Sequence, residues 1–306
     1  MLSPALMRQE RRGRQYLCNN AESVCKSDDK MSKESAGITA NLTALFNPKK
    51  ETQEMPKIPI ALQMYTLRDE CEKDFAGTIR KVAEIGYPAV ELAGRGSLSV
   101  QELSSLLADN HLTIAGSHIG LDQLESDLPK VIQENLALGN RFVVVPYLSD
   151  EHRKTAADYK KTAETFNKIG ETLQQSGLTL CYHNHDFEFQ KMDTGEIGLD
   201  ILFENSDSAL VKAEVDTYWV LKGGQDPVAF VRKHAGRVPL MHIKDMDMAD
   251  DSFAPVGTGK LPLDALIAAA SDIGTQYLIV EQDVCKGPAI DAVTLSYNNL
   301  KAKGYA

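Results

Sequence analysis

An α/β fold of the (β/α)8 TIM barrel type, preceded by a disordered N-terminal extension, is what this 306-residue chain predicts. Three observations carry that prediction. From Met55 onward, short apolar runs alternate with longer stretches of helical spacing, eight of each within about 250 residues. Polar residues suited to chemistry stand at the carboxyl ends of the runs, where such a barrel places its active site. No G-x-G-x-x-G follows the first run, which disfavours the runner-up, a doubly wound dinucleotide-binding sheet.

Strand one is expected at 58–64, and the helix after it carries Phe75, Ile79, Val82 and Ile85 on one face with Gly86 as its stop. Strand two falls at 89–92 and its helix at about 100–110. Strand three is expected at 112–117, then a helix near 124–138. Strand four spans 141–146, and the long helix after it places Tyr159, Ala163, Phe166, Ile169 and Leu173 at spacings of three and four. The stretch 178–189, LTLCYHNHDFEF, is strand five and its outlet: Leu178, Leu180 and Tyr182 alternate with Thr179, Cys181, His183 and His185. A short helix (198–205), strand six (210–215), a helix (227–235), strand seven (239–244), a helix from 263 to about 272, strand eight (277–281) and a helix at about 289–301 complete the pattern.

The composition is that of an ordinary soluble globular protein, 25% charged and 43% apolar. Residues 1–54 are polar and aperiodic and read as a disordered tail or a mis-called start, with Met31 and Met55 as alternative starts; 55–306 form the barrel. The tail holds 9 Lys+Arg and 7 Asp+Glu, leaving the body 24 against 36, a net −12. A body this acidic is a poor partner for nucleic acid or anionic membrane. Five irregularly spaced cysteines argue against a disulfide framework and for a reducing, cytoplasmic setting. Arg8, Arg11, Arg12 and Arg14 precede no apolar stretch, so no secretory signal is expected, and the Asn41-Leu42-Thr43 sequon would matter only in a secreted protein.

The strand ends supply Gln63, Tyr65 and, just beyond, Arg68; then Glu91, His118, His183, His185, Asp216, His242, Lys244 and Glu281. Parity turns them inward, since Val211, Ala213 and Val215 alternate away from Asp216, and Met241 and Ile243 away from His242 and Lys244. Each also has a structural reading: His118 as a core histidine, Glu91 as a bridge to Arg68, Lys212 with Glu214 as an ion pair, Lys244 as an ion pair with Glu281 or Asp216. Convergence on one rim favours a site. His183, Asp216, His242 and Glu281 make an N2O2 set suited to Mn2+, Zn2+ or Fe2+ and not Ca2+. Gly257 and Gly259 are expected to admit substrate or a phosphate close to the backbone, the run Asp245, Asp247, Asp250, Asp251 reads as a solvated loop, and Cys71 and Cys285 read as ordinary thiols.

Residues 57–304 resemble the xylose-isomerase-like barrels grouped as sugar phosphate isomerases/epimerases. The motifs that carry the resemblance are IALQMYTLRD (60–69), GYPAVELAG (86–94), AGSHIG (115–120), CYHNHDFEF (181–189), AEVDTYW (213–219), MHIKD (241–245), VGTG (256–259) and VEQD (280–283). The resemblance implies one divalent ion, Mn2+ first and otherwise Zn2+, Fe2+, Co2+ or Mg2+, on His183, Asp216, His242 and Glu281. At strand five many members supply a glutamate base; here His183, Cys181 and His185 stand instead. Glu188 sits where related epimerases bind substrate hydroxyls, and Gln63, Tyr65, Glu91 and His118 are the further substrate-binding candidates.

The implied chemistry is isomerisation or epimerisation of a sugar or keto-sugar through an enediolate, in carbohydrate metabolism. Glu281 or His185 takes the proton and Lys244 steadies or reprotonates the oxyanion. The rival readings are a metal-dependent dehydratase or lyase on an inosose or 3-keto-glycoside, and a non-catalytic sugar-binding protein. The related nucleases of abasic DNA need a multi-zinc cluster and a basic groove, and are disfavoured. The expected partner is a small-molecule carbohydrate, with homo-oligomerisation open.

Overall fold

The computed structural model describes residues 57–306; the expectations for residues 1–54 lie outside the described residues. Eight parallel strands close a barrel: β1 (Ile60–Gln63), β2 (Ala89–Leu92), β3 (Thr113–His118), β4 (Phe142–Val145), β5 (Thr179–His183), β6 (Val211–Asp216), β7 (Leu240–His242) and β8 (Tyr277–Val280). Each pairs with its neighbours in chain order and β8 closes on β1, Ile60 opposite Leu278. Around them run α1 (Arg68–Ile85), α2 (Val100–Asp109), α3 (Leu121–Ala137), α4 (Ala156–Gln175), α5 (Gly198–Glu204), α6 (Thr217–Lys222), α7 (Pro227–Lys233), α8 (Leu263–Ile273) and α9 (Ala289–Ala302). None of the described helices is long and apolar enough to cross a membrane.

Strand alternation divides the core in two. Leu180, Tyr182, Val211, Ala213 and Val215 face outward and join Phe166, Ile169 and Leu173 of α4 in the layer between sheet and helices. Ala61, Ala89, Ala115, Phe142, Val144, Cys181, Leu240 and Ile279 fill the barrel's interior. The next inward positions along the same strands are polar: Gln63, Glu91, His183, Glu214, Asp216 and His242, all buried. A parallel strand buried on both faces normally reads as continuously apolar, so polar residues at these depths mark where the apolar packing of the barrel ends.

Helix ends follow local signals. Gly86 caps α1 at φ 117, a left-handed conformation that a β-carbon disfavours. Ser99 and Thr155 open α2 and α4 with capping boxes to Glu102 and Asp158. The short α6 and a hairpin pairing Asp245–Met246 with Phe253–Ala254 interrupt the expected strict alternation. The start of α6 comes from Asp216 itself, whose Oδ1 accepts from the Trp219 N–H.

Candidate metal centre and substrate cleft

One ligand atom from each of His183, Asp216, His242 and Glu281 lies within 4.8 Å of the others, so the quartet read from the sequence comes together in space. The strand ends supplying it are tied to one another. Asn184 accepts from the Asp216 N–H and donates to its carbonyl, and the Thr217 hydroxyl donates to the His242 carbonyl. Because Oδ1 of Asp216 caps α6, its Oδ2 is left facing the cluster, buried and in an ion-pair contact with Lys244 but without a hydrogen bond. His183 Nε2 is 3.7 Å from that oxygen, and His242 Nδ1 is 3.0 Å from Glu281 Oε2.

Lys244 is buried among three carboxylates, 3.1 Å from Asp216 Oδ2, 2.8 Å from Glu281 Oε2 and 3.0 Å from Asp283 Oδ2. Burial alone would depress this ammonium; the three anions outweigh it and keep it charged. Both ion pairs expected of Lys244 are present, and Asp283, given no role from sequence, makes a third. Burial raises Asp283 to about 6 and also raises Asp216, against the pull of Lys244. Glu281 is held well below the usual range: burial opposes this, but Lys244 and His242 prevail.

Beneath this layer lies another. Glu214 Oε2 is 2.8 Å from His118 Nε2, 2.9 Å from His183 Nδ1 and 3.2 Å from His242 Nε2. Glu91 Oε2 is 2.8 Å from His242 Nε2 and 3.2 Å from His118 Nε2, and accepts from Gln63 Nε2 at 2.7 Å. The expected Lys212–Glu214 pair does not form: Lys212 donates to the Gly236 carbonyl while Glu214 turns to the three histidines. Likewise Glu91 binds histidines and Gln63, and Arg68 donates to the Tyr65 carbonyl. Burial would lower His118, yet Glu91 and Glu214 raise it to about 10; the same carboxylates raise His242. Burial depresses His183, reinforced by His242 and His185. Burial and the charge of Glu91 raise Glu214.

Above the cluster opens a cleft of about 530 Å³, lined in part by Tyr65, Tyr147, His118, His183, His185, Lys244 and Glu281. Of the substrate-binding candidates, Tyr65 and His118 reach it. Gln63 and Glu91 have no exposed surface and lie in the lower layer, and Glu188 is equally buried. The Glu188 carboxylate accepts from the Tyr182 hydroxyl and from the His185 N–H, so it braces the loop that carries His185. Burial raises it to about 7.

His185 packs against Phe187 (stacked, 5.4 Å), Tyr147 (edge-on, 5.7 Å) and Trp219 (5.3 Å), with Nδ1 buried and unpartnered. Burial and then Lys244 lower it to about 3, so it is neutral at neutral pH. Tyr147 has no sequence signal beyond being aromatic after a strand end, and Phe187 and Trp219, although inside the motifs at 181–189 and 213–219, are given no role by the sequence.

Two loop expectations are corrected. Asp245 is buried, not solvated, and accepts from the N–H groups of Gly257 (2.9 Å), Gly259 (2.8 Å) and Leu261 (3.2 Å). The glycine loop's donors are therefore satisfied by the chain's own carboxylate and are not free for a phosphate. A β-carbon on Gly259 would lie 2.3 Å from Asp245 Oδ1, so that position needs glycine. Cys71 and Cys285 are free thiols, as is Cys181 inside the barrel; burial and Glu70 raise Cys71 to about 11.

The sequence profile of the xylose isomerase-like TIM barrels matches residues 79–295. A crystal structure of a sugar phosphate isomerase/epimerase from Parabacteroides distasonis superposes with a TM-score of 0.69 at 24% identity, covering 83% of this chain and 97% of that one. The probable 3-DHS dehydratase AsbF from Bacillus anthracis gives 0.64 at 15% identity over 79% and 98%. The IOLI protein with a bound zinc atom gives 0.63 at 14% over 81% and 99%. No curated protein sequence matches this chain.

Proposed function

Since the chain belongs to the xylose isomerase-like TIM barrel family, we propose that it is a divalent-metal-dependent isomerase or epimerase of a sugar or keto-sugar. The observation that carries this reading is the quartet His183, Asp216, His242 and Glu281, drawn from four adjacent strand ends into one donor set beneath an open cleft. Two imidazoles and two carboxylates suit Mn2+, Zn2+ or Fe2+. The Oδ2 of Asp216 supports the fit, since it faces the cluster with the Lys244 ammonium at 3.1 Å and no hydrogen bond. So does charge: five buried or half-buried carboxylates (Glu91, Glu214, Asp216, Glu281, Asp283) face one ammonium, Lys244, and the imidazoles of His118 and His242.

A divalent ion held by the quartet supplies a Lewis acid for a carbonyl oxygen. The remaining roles fall to the chain's own residues. Lys244, kept cationic, steadies the oxyanion that develops when the neighbouring carbon loses its proton. Glu281 is committed to Lys244 and His242, whereas His185 lines the cleft and pairs with no carboxylate among the described residues, so His185 is the proposed proton acceptor. Tyr65 and His118 contact the substrate. With Asp245 occupying the glycine loop, the proposed substrate is not phosphorylated there.

Elimination from an inosose or 3-keto-glycoside is the second reading, because it begins with the same proton removal and a neighbour of the same fold is described as a probable dehydratase. The test is proton NMR in deuterated buffer across aldoses, ketoses, inososes and 3-keto-glycosides, with Mn2+ or Zn2+ and after chelation. Metal-dependent loss of a carbon-bound hydrogen is expected, and product identity separates isomerisation from elimination. Exchange that survives chelation, or sugar binding without any exchange, would overturn the reading.

A further inference from the structure

Each imidazole of the quartet stands between carboxylates on its two ring nitrogens. His183 turns Nε2 toward Asp216 and Nδ1 to Glu214 at 2.9 Å; His242 turns Nδ1 to Glu281 and Nε2 to Glu91 at 2.8 Å. A neutral imidazole has one N–H and one lone pair, and a metal takes the lone pair. The nitrogen that donates therefore decides where the lone pair points.

The lower carboxylates are placed to make that decision. Glu214 Oε2 faces nitrogens of three histidines within 3.2 Å, and Glu91 Oε2 accepts from Gln63 as well as facing two histidines. Neither residue has exposed surface, so neither reaches substrate. The backbone makes room for them: a β-carbon on Gly116 of β3 would lie 2.6 Å from Glu91 Oε1, so a larger residue there would push that carboxylate out of line.

Resting on the metal reading above, we propose that Glu214 and Glu91 are positioning residues. Glu214 accepts the Nδ1–H of His183 and Glu91 accepts the Nε2–H of His242, which turns the opposite lone pairs toward the cation position. Partners of this kind commonly set metal affinity by about 10–100-fold. The rival is a second cation site, because ligand atoms of His118, His183, Glu214 and His242 also lie within 4.8 Å of one another.

Mn2+ titration of the full chain by equilibrium dialysis, with nitrogen-15 histidine NMR on the metal-free protein, tests the proposal. Wild type is expected to bind one Mn2+ and to show His183 protonated on Nδ1. Glu214→Gln is expected to bind Mn2+ about 10–100-fold more weakly and to shift the His183 tautomer, since the amide can turn its NH2 to Nδ1. A merely structural role would lower the unfolding midpoint but leave the tautomer unchanged. If Glu214→Gln fails to fold, Glu91→Gln applies the same affinity test through His242. Two Mn2+ per chain, wild-type His183 protonated on Nε2, or unchanged affinity in the folded variant would overturn the proposal. Wild type that binds no Mn2+ would overturn the metal reading together with it, whereas an unchanged variant beside a metal-binding wild type overturns this inference alone.

Discussion

Beneath the cleft, Glu91, Glu214, Asp216 and His242 have no exposed surface and every one meets an ion-pairing group from another strand end, some of them across the barrel; at its mouth Tyr65 is 46% exposed, Tyr147 48% and Val284 63%. The floor is rigid strand ends carrying charge in a low-dielectric setting, where each interaction is strong and each loss is costly. The rim is loop-borne, aromatic and wet. A floor of that kind decides what chemistry is done; a rim of that kind decides what is held over it. Perturbing the two should therefore give effects of different kind and size.

The largest effect is expected on the floor. Asp216→Ala and His242→Ala should each lose the ion, read by elemental analysis of the purified protein. Glu281→Gln removes a ligand charge from the quartet and should slow hydrogen exchange by at least about 10²-fold, the size of loss expected when electrostatic stabilisation of a developing oxyanion fails. Full metal occupancy in both alanine variants would mean that the floor does not hold the ion.

That floor was largely legible in the sequence because strand parity is strict: once Val211, Ala213 and Val215 face the helices, Lys212, Glu214 and Asp216 must face the barrel axis. Parity says which way a residue points and not what it meets. Glu214 was paired with Lys212, its neighbour on the same face, whereas closure of the barrel brings it to histidines of β3, β5 and β7. Asp245 looked like one more member of an acidic run, because nothing in a run of aspartates marks the one that a returning loop will wrap. The six-residue α6 is too short to show a period, and its cap is a residue already assigned to the metal. The rim was least legible, since Tyr147 lies on a loop and Phe187 opens a three-residue 3-10 turn, neither long enough to show a period.

Lys244 offers the next test, still on the floor but on its cationic side. Lys244→Ala leaves Asp216, Glu281 and Asp283 without their ammonium, and removing one partner of a buried ion pair costs about 3–5 kcal/mol. Urea unfolding of the metal-free variant should show a loss of that order, with part of it recovered on adding Mn2+, which restores positive charge beside the same oxygens. Turnover should fall more than metal content does. A variant as stable as wild type without metal would show that the carboxylates had other compensation.

Glu188 joins the two regions, buried itself but bracing the His185 loop at the rim. Its folded value is about 7 against an ordinary 4.5, raised by burial over the opposing bond from Tyr182. The protonated form is thus favoured in the folded state, so its contribution is complete below about pH 4.5 and is lost as the pH rises through about 7. The span corresponds to a few kcal/mol, roughly 1.4 per unit. Glu188→Gln should remove that portion of the pH dependence of stability between pH 4.5 and 7, and an unchanged profile would assign it elsewhere.

The smallest effect is expected at the mouth. The Tyr147 ring meets His185 and Phe187 edge-on at 5.7 and 5.4 Å, and its hydroxyl takes a bond from Arg153 at 3.0 Å. Half of its surface is already in water, so truncation opens no cavity and strands no buried charge. Tyr147→Ala should change stability by less than about 1 kcal/mol, within the range of an aromatic pair contact. It should raise KM by up to about tenfold, equivalent to roughly 1.4 kcal/mol of uniform binding, and leave kcat and Mn2+ affinity in place. That split separates the regions, because a residue acting only on what is held over the floor cannot alter the floor's chemistry. A fall in kcat as large as that of Glu281→Gln would instead tie Tyr147 to the proton acceptor through its packing on His185, and the division between floor and rim would have to be redrawn with the His185 loop on the chemical side.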